Sequence, residues 1–248
     1  MTKRILVPLP DHDFDTTEVA VPWKVLSNKG HDFIFATETG ATPACDPLLL
    51  SGVLFGRLGA EPEAKSFYAE LERNQRFTRP IRWDAIEPKD FDALLLPGGH
   101  APGMRQYLGS ELLQGKISSI WNWEKPVAAI CHGVLVLARS RDPRTGRSVL
   151  ASSRTTCLPK YMEQAAYFLT SWKLGKYYRT YPDYVEDEVK AALADPKTQF
   201  QRGPRNLTTK GTAHDATHAF VVEDGRYVSA RWPGDAYLFA ERLDQRLR

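Results

Sequence analysis

Cysteine is scarce in this 248-residue chain: Cys45, Cys131 and Cys157 are the full set, with no Cys-x-x-Cys pair among them. An odd, scattered set argues against a disulfide framework and predicts a reducing, cytoplasmic setting. No apolar run approaches the roughly 20 residues of a membrane span. The opening Met-Thr-Lys-Arg leads into an apolar stretch, residues 5–9, too short for a secretory signal and without a small-residue cleavage site. It reads instead as a first strand. An excess of one charge is missing too: 33 basic against 30 acidic residues leave +3. The basic residues are scattered apart from small clusters at 139–147 and 202–205, so there is no nucleic-acid footprint. Internal repeats and low-complexity tracts are absent. With 42% hydrophobic and 25% charged residues the composition is that of a globular protein. The length suits one α/β domain with an insertion, and a core of that size needs no disulfide or metal staple.

Apolar runs at Ile5-Leu6-Val7 and at residues 33–37, with a helical pattern between them ending near Gly30, predict a βαβ unit and hence a parallel sheet. From residue 41 to 90 the pattern weakens. One charged helix over residues 61–76 is expected there, inside an insertion or cap beside the sheet. Strand character returns at Ala93-Leu94-Leu95-Leu96, stops at Pro97-Gly98-Gly99, and resumes at Val127-Ala128-Ala129-Ile130 after a helix near 112–123. Further helices are expected at 161–174, 185–194 and 234–247, an exposed loop at 195–211, and a hairpin around Asp224-Gly225. The fold class is α/β, a three-layer, flavodoxin-like sandwich around a mainly parallel sheet.

The segment that carries chemistry is Ala129-Ile130-Cys131-His132-Gly133. A buried strand that turns at once into a helix, with small residues beside a nucleophile, has the form of a nucleophile elbow. Its nucleophile would stand at the carboxyl end of the sheet, where ligands bind in open α/β folds. The helix N-terminus behind it is expected to favour the Cys131 thiolate. A cysteine alone is more often a small buried apolar residue; here the flanking elements decide otherwise. The Pro97-Gly98-Gly99-His100 segment ends a neighbouring strand, and the N–H groups of Gly98 and Gly99, with that of His132, are candidates for an oxyanion hole. His214-Asp215-Ala216-Thr217-His218 comes near a zinc helix motif, but Asp replaces Glu and the segment tends to extended structure, so no metal is expected there. The Arg231-Trp232-Pro233-Gly234-Asp235 cluster either lines a pocket rim or caps the last helix.

These segments, with Glu18-Val19-Ala20-Val21-Pro22 and Asp46-Pro47, resemble the ThiJ/PfpI superfamily, in the larger branch that contains heat-shock chaperones and glutathione-independent glyoxalases. The resemblance is strongest over residues 3–40 and 91–140. It implies that Cys131 is the nucleophile, His132 its neighbouring histidine, and Glu18 a carboxyl held against the sulfur. A carboxyl in such a pocket is expected to have a raised pKa and to exchange a proton near neutrality. The family's third acid, which orients the histidine, matches either Glu163 or Asp215. Ala101 stands where the branch has a further glycine. By resemblance the chain is a homodimer that uses no cofactor.

Three functions are consistent with these residues. One is a cysteine-dependent glyoxalase or deglycase that takes a small carbonyl compound such as methylglyoxal to a hydroxy acid. The second is a stress chaperone or redox sensor without turnover; the sensor would need an exposed, low-pKa thiol, and an exposed apolar patch would favour the chaperone. The third is a cysteine hydrolase of the peptidase type. Glutaminase activity is disfavoured, because the related amidotransferases place Glu two residues after a histidine and none of the six histidines here has it.

Overall fold

The computed structural model describes residues 1–54 and 58–248. In chain order the strands are β1 (Arg4–Pro8), β2 (His12–Phe14), β3 (Asp32–Thr37), β4 (Ala44–Cys45), β5 (Ile81–Arg82), β6 (Ala93–Leu96), β7 (Val127–Ile130), β8 (Val221–Asp224) and β9 (Tyr227–Ala230). The α-helices are α1 (Thr16–Asn28), α2 (Pro47–Ser51), α3 (Pro62–Leu71), α4 (Gln75–Thr78), α5 (Met104–Gly109), α6 (Glu111–Asn122), α7 (Gly133–Arg139), α8 (Lys160–Leu174), α9 (Val185–Ala192), α10 (Pro196–Gln199) and α11 (Ala236–Leu247). No helix of the described residues is long and apolar enough to cross a membrane.

Seven strands form one sheet in the order β5-β3-β1-β6-β7-β9-β8, parallel except for the β8–β9 hairpin; β2 and β4 make a separate two-stranded ribbon. The central strands read as unbroken apolar runs because both faces are covered. Every residue of β6 and β7 is buried. Helix α1 packs against α3 and α11, while α7 packs against α5, α6 and α9, so helical layers lie on both sides of the sheet. This is the predicted α/β sandwich.

The stretch 41–90 departs from its expected shape in two ways. The single helix expected over 61–76 is two, α3 and α4, because Asn74 caps a new start by accepting from Arg76 N. The stretch also does not merely lie beside the sheet, since β5 pairs in parallel with β3 as an edge strand. Two residues are too few for an alternating pattern to be seen in the sequence. The expected 195–211 loop contains one short helix, α10, capped by Asp195.

The carboxyl-terminal crossing is held by a fully buried ion pair. Arg231 donates through Nε and a terminal nitrogen to the Asp235 carboxylate, both at 2.9 Å. Asp235 stands at the start of α11 but spends its carboxylate on Arg231 rather than on the helix amides, while Trp232 and Pro233 face a cavity. The rim expectation for this cluster is met by Trp232 and Pro233, while the capping one is not, since the Asp235 side chain makes no cap bond to α11. Removing one partner strands a buried charge. Asp235→Ala is expected to cost about 3–5 kcal/mol in urea unfolding, with much of the loss recovered by Arg231→Met in the same chain.

Candidate active site

Cys131 stands between β7 and α7 with φ of 57°, a left-handed conformation that is unfavourable for a side chain bearing Cβ. Surrounding structure enforces it. The Cys131 N–H donates to Ala230 O at 3.1 Å, and the His132 carbonyl accepts from Leu135 N as α7 begins. Gly133 allows the close approach, since a Cβ there would lie 2.2 Å from Leu96 O and 2.6 Å from Pro97 O. The elbow is therefore built from backbone packing, with strain at its nucleophile.

Glu18, in the first turn of α1, lies beneath this elbow and is fully buried. Its Oε2 accepts from Gly98 N at 2.8 Å. Asp15 caps α1 by accepting from Thr17 N and Glu18 N, and its own N–H donates to Gly98 O at 2.8 Å. The start of α1 and the glycine loop after β6 are thereby joined at Gly98. A Cβ at Gly98 would sit 2.7 Å from His132 N, 2.9 Å from Glu18 Oε2 and 3.0 Å from Cys131 Cβ. Gly98→Ala must displace one of these three groups. We expect it to lower thermal stability by about 1–3 kcal/mol and to abolish any Cys131-dependent activity, measured in parallel on the purified variant.

This arrangement alters the predicted oxyanion hole. The Gly98 N–H is taken by Glu18, so it is not open to a substrate oxygen. The Gly99 N–H makes no hydrogen bond among the described residues, and the His132 N–H points at the Cys131 sulfur. Of the expected three donors, Gly98 is committed to Glu18 and His132 faces the sulfur, which leaves the Gly99 N–H uncommitted.

Protonation also differs from expectation at the sulfur. Burial comes first, then the Glu18 and Asp15 carboxyls, in pushing the Cys131 thiol well above its ordinary value; the His132 N–H opposes them. The helix start that was expected to favour the thiolate does not prevail. Only 1% of Cys131 is exposed, and α7 is short. Glu18 is likewise pushed well above its usual carboxylate range, by burial first and the Asp15 charge second, with Gly98 N–H and the Cys131 thiol opposing. Asp15 itself is raised to about 6, by burial. Thiol and carboxyls share one buried site, in which Asp15 raises Glu18 and both carboxyls raise the thiol.

His132 Nδ1 lies 3.5 Å from the Cys131 sulfur. Burial, reinforced by His100, Arg139 and Arg179, holds His132 neutral, well below the usual imidazole range. Neither candidate third acid reaches it. Glu163 accepts from Arg179 at 3.0 Å and from Val185 N at 3.0 Å, so both its oxygens are committed elsewhere. Asp215 is exposed and accepts from Thr217 N at 2.8 Å in its own loop. Among the described residues, no carboxylate bonds His132. The loop bearing His214 and His218 is exposed and not helical, so the two rings do not share a helix face.

One site residue was visible in a motif but given no role: His100. Its ring meets that of His132 edge-on at 4.5 Å between centroids, and that of Tyr178 at 6.0 Å. Burial lowers its pKa to about 4, and its Nε2 has no hydrogen-bond partner. The His100 carbonyl accepts from Thr180 Oγ1 at 2.6 Å, while Tyr177 and Tyr178 both donate to Asp46. His100, Cys131 and His132 offer ligand atoms within 4.8 Å of one another, a donor set of one sulfur and two imidazoles of the kind that suits zinc. The signal for His100 was its place directly after Gly98-Gly99. What it lacked was any indication that residues 177–180 would fold back over it.

An α/β sandwich with a strained cysteine elbow, a buried glutamate under the sulfur and a glycine loop beside it defines a family. Residues 9–204 match the family model described as ThiJ/PfpI family-like, and the chain belongs to that family. A deglycase of Pyrococcus abyssi is 24% identical over 99% of both chains. An uncharacterized protein of Schizosaccharomyces pombe is 27% identical, over 98% of this chain and 83% of its own. The crystal structure of glyoxalase III from Candida albicans superposes with a TM-score of 0.71 at 19% identity, covering 99% of this chain and 98% of that one.

Proposed function

We propose that the protein is a cysteine-dependent, glutathione-independent glyoxalase or deglycase that converts small dicarbonyls to hydroxy acids. The carrying observation is the elbow itself: a left-handed Cys131 whose sulfur lies between His132 and the raised carboxyl of Glu18. The relatives named as deglycases and as glyoxalase support the same chemistry.

As the aldehyde carbon approaches, Glu18 in its ionised form takes the Cys131 proton, the sulfur adds, and Glu18 hands that proton to the new oxyanion, which leaves a neutral hemithioacetal and a carboxylate able to act again. The oxyanion faces the Gly99 N–H group. A base then takes the C1 proton and returns it at C2, which turns the hemithioacetal into a thioester of the hydroxy acid. Glu18 suits this step better than His132, because its raised pKa makes it a stronger base than an ordinary carboxylate while His132 is held neutral and weakly basic. Water cleaves the thioester, releasing lactate from methylglyoxal and restoring the thiol. The test is D-lactate formation from methylglyoxal without glutathione. Turnover supports the reading, and its absence across methylglyoxal and larger α-oxoaldehydes would overturn it.

The redox-sensor alternative loses support, because a thiol that is buried and pushed upward is not the exposed thiolate it requires. The peptidase alternative lacks an oriented histidine. The chaperone alternative has one observation in its favour, the exposed Phe168, Leu169 and Trp172 on α8. Replacing Phe168 and Trp172 by Ser would lower suppression of client aggregation on that reading and leave it unchanged otherwise.

A further inference from the structure

His100 joins the Cys131 site to a larger space beside it. A cavity of about 540 Å³ opens above His100 and Asp15. Its wall is mostly apolar: Leu49 and Val53 from one side, Met162, Ala166 and Leu169 of α8 from another, and Trp232. At the floor, His100 offers its ring nitrogens within 4.8 Å of the Cys131 sulfur and the His132 ring. Leu58, Leu169 and Leu207, each about half exposed, continue the apolar wall out to solvent.

Cavities of about 300–1,000 Å³ hold ligands far larger than a three-carbon aldehyde, and an apolar wall has no use for methylglyoxal's single methyl. Among the described residues of the rim, Lys210 pairs with Glu61 at 2.8 Å. We propose that the substrate class is α-oxoaldehydes bearing an extended apolar substituent, alkyl or aryl, with the dicarbonyl at Cys131 and the tail along α8. This rests on the glyoxalase reading and specifies its substrate. The balance is unchanged: one water adds to each oxoaldehyde, C1 is oxidised to the carboxylate, and C2 is reduced to the alcohol.

The experiment compares methylglyoxal, 2-oxohexanal, 2-oxooctanal and phenylglyoxal as substrates of the full chain. Burial of each methylene is expected to raise kcat/KM by up to about fourfold, carried mainly in KM, so the methyl-to-hexyl gain should be about tenfold or more. In Ala166→Trp, which fills the wall, the hexyl-to-methyl ratio should fall toward one. Calorimetry on the unaltered protein gives a second measure that needs no variant: 2-hydroxyoctanoate should bind about tenfold or more tighter than lactate. A flat or falling series with methylglyoxal still turned over, or equal binding of the two acids, overturns this inference alone. No turnover of any member overturns it together with the glyoxalase reading.

Discussion

Cys131→Ala should lower dicarbonyl turnover by at least about 10³-fold, to the level of uncatalysed loss, with the fold intact by circular dichroism. The size follows from the site's composition. No other described thiol joins the cluster of His100, Cys131 and His132: Cys45 and Cys157 are buried, and burial raises both. Glu18 and His132 can move protons, but neither replaces the bond that turns one difficult transfer into two easier steps. Because Cys131 has φ of 57°, a second consequence can be checked on the same samples. Cys131→Gly should be more stable than Cys131→Ala by about 1–2 kcal/mol, since glycine adopts that conformation without a Cβ penalty. Equal stability would show that the elbow is not strained. Turnover retained in either variant would remove Cys131 from the chemistry.

Glu18→Gln should lower kcat by about 10²–10⁴-fold and at the same time make the protein more stable near neutral pH. Both effects come from one buried carboxyl. Below about pH 4 it is protonated in the folded and the unfolded chain, and the substitution changes little. As pH rises through its unfolded value of 4.5, the unfolded chain ionises while the folded chain keeps the proton, so the folded state binds more protons and loses stability. That loss continues until pH passes the raised folded value. Asp15 adds a smaller loss of the same sign between 3.8 and about 6. Glutamine cannot ionise, and its oxygen can still accept from Gly98 N. We expect the variant to match the wild type at pH 4 and to exceed it by more than about 1 kcal/mol at pH 8 in urea unfolding. A variant that is less stable at pH 8, or a gap that does not widen with pH, would contradict the buried, proton-holding carboxyl.

The elements that set the elbow were legible because local rules and global packing agree there. Strands β6 and β7 are short apolar runs of the kind a doubly covered parallel sheet demands, and each ends at the residues needed for a tight turn. Gly98 and Gly133 were conspicuous in sequence because nothing larger fits where they stand. What remained hidden depends on pairings between distant segments. The two residues of β5 belong to the sheet only through β3. Glu163 sits in a helix turn that any histidine-orienting acid could occupy, and only the folded chain shows it bonded to Arg179 and Val185. The upward shift of Cys131 was invisible for the same reason: a helix start can be read from local sequence, but burial beside Glu18 and Asp15 cannot. His100 joined the site because residues 177–180 fold across it.

The most direct test of Cys131 as the nucleophile is the mass of the peptide that holds it, after the unaltered protein has been mixed with methylglyoxal and quenched in acid during a single turnover. A three-carbon acyl group should be found on Cys131 as the thioester, and none there in Cys131→Ala. An unmodified Cys131 in protein that consumes methylglyoxal at full rate would contradict a covalent mechanism through this cysteine.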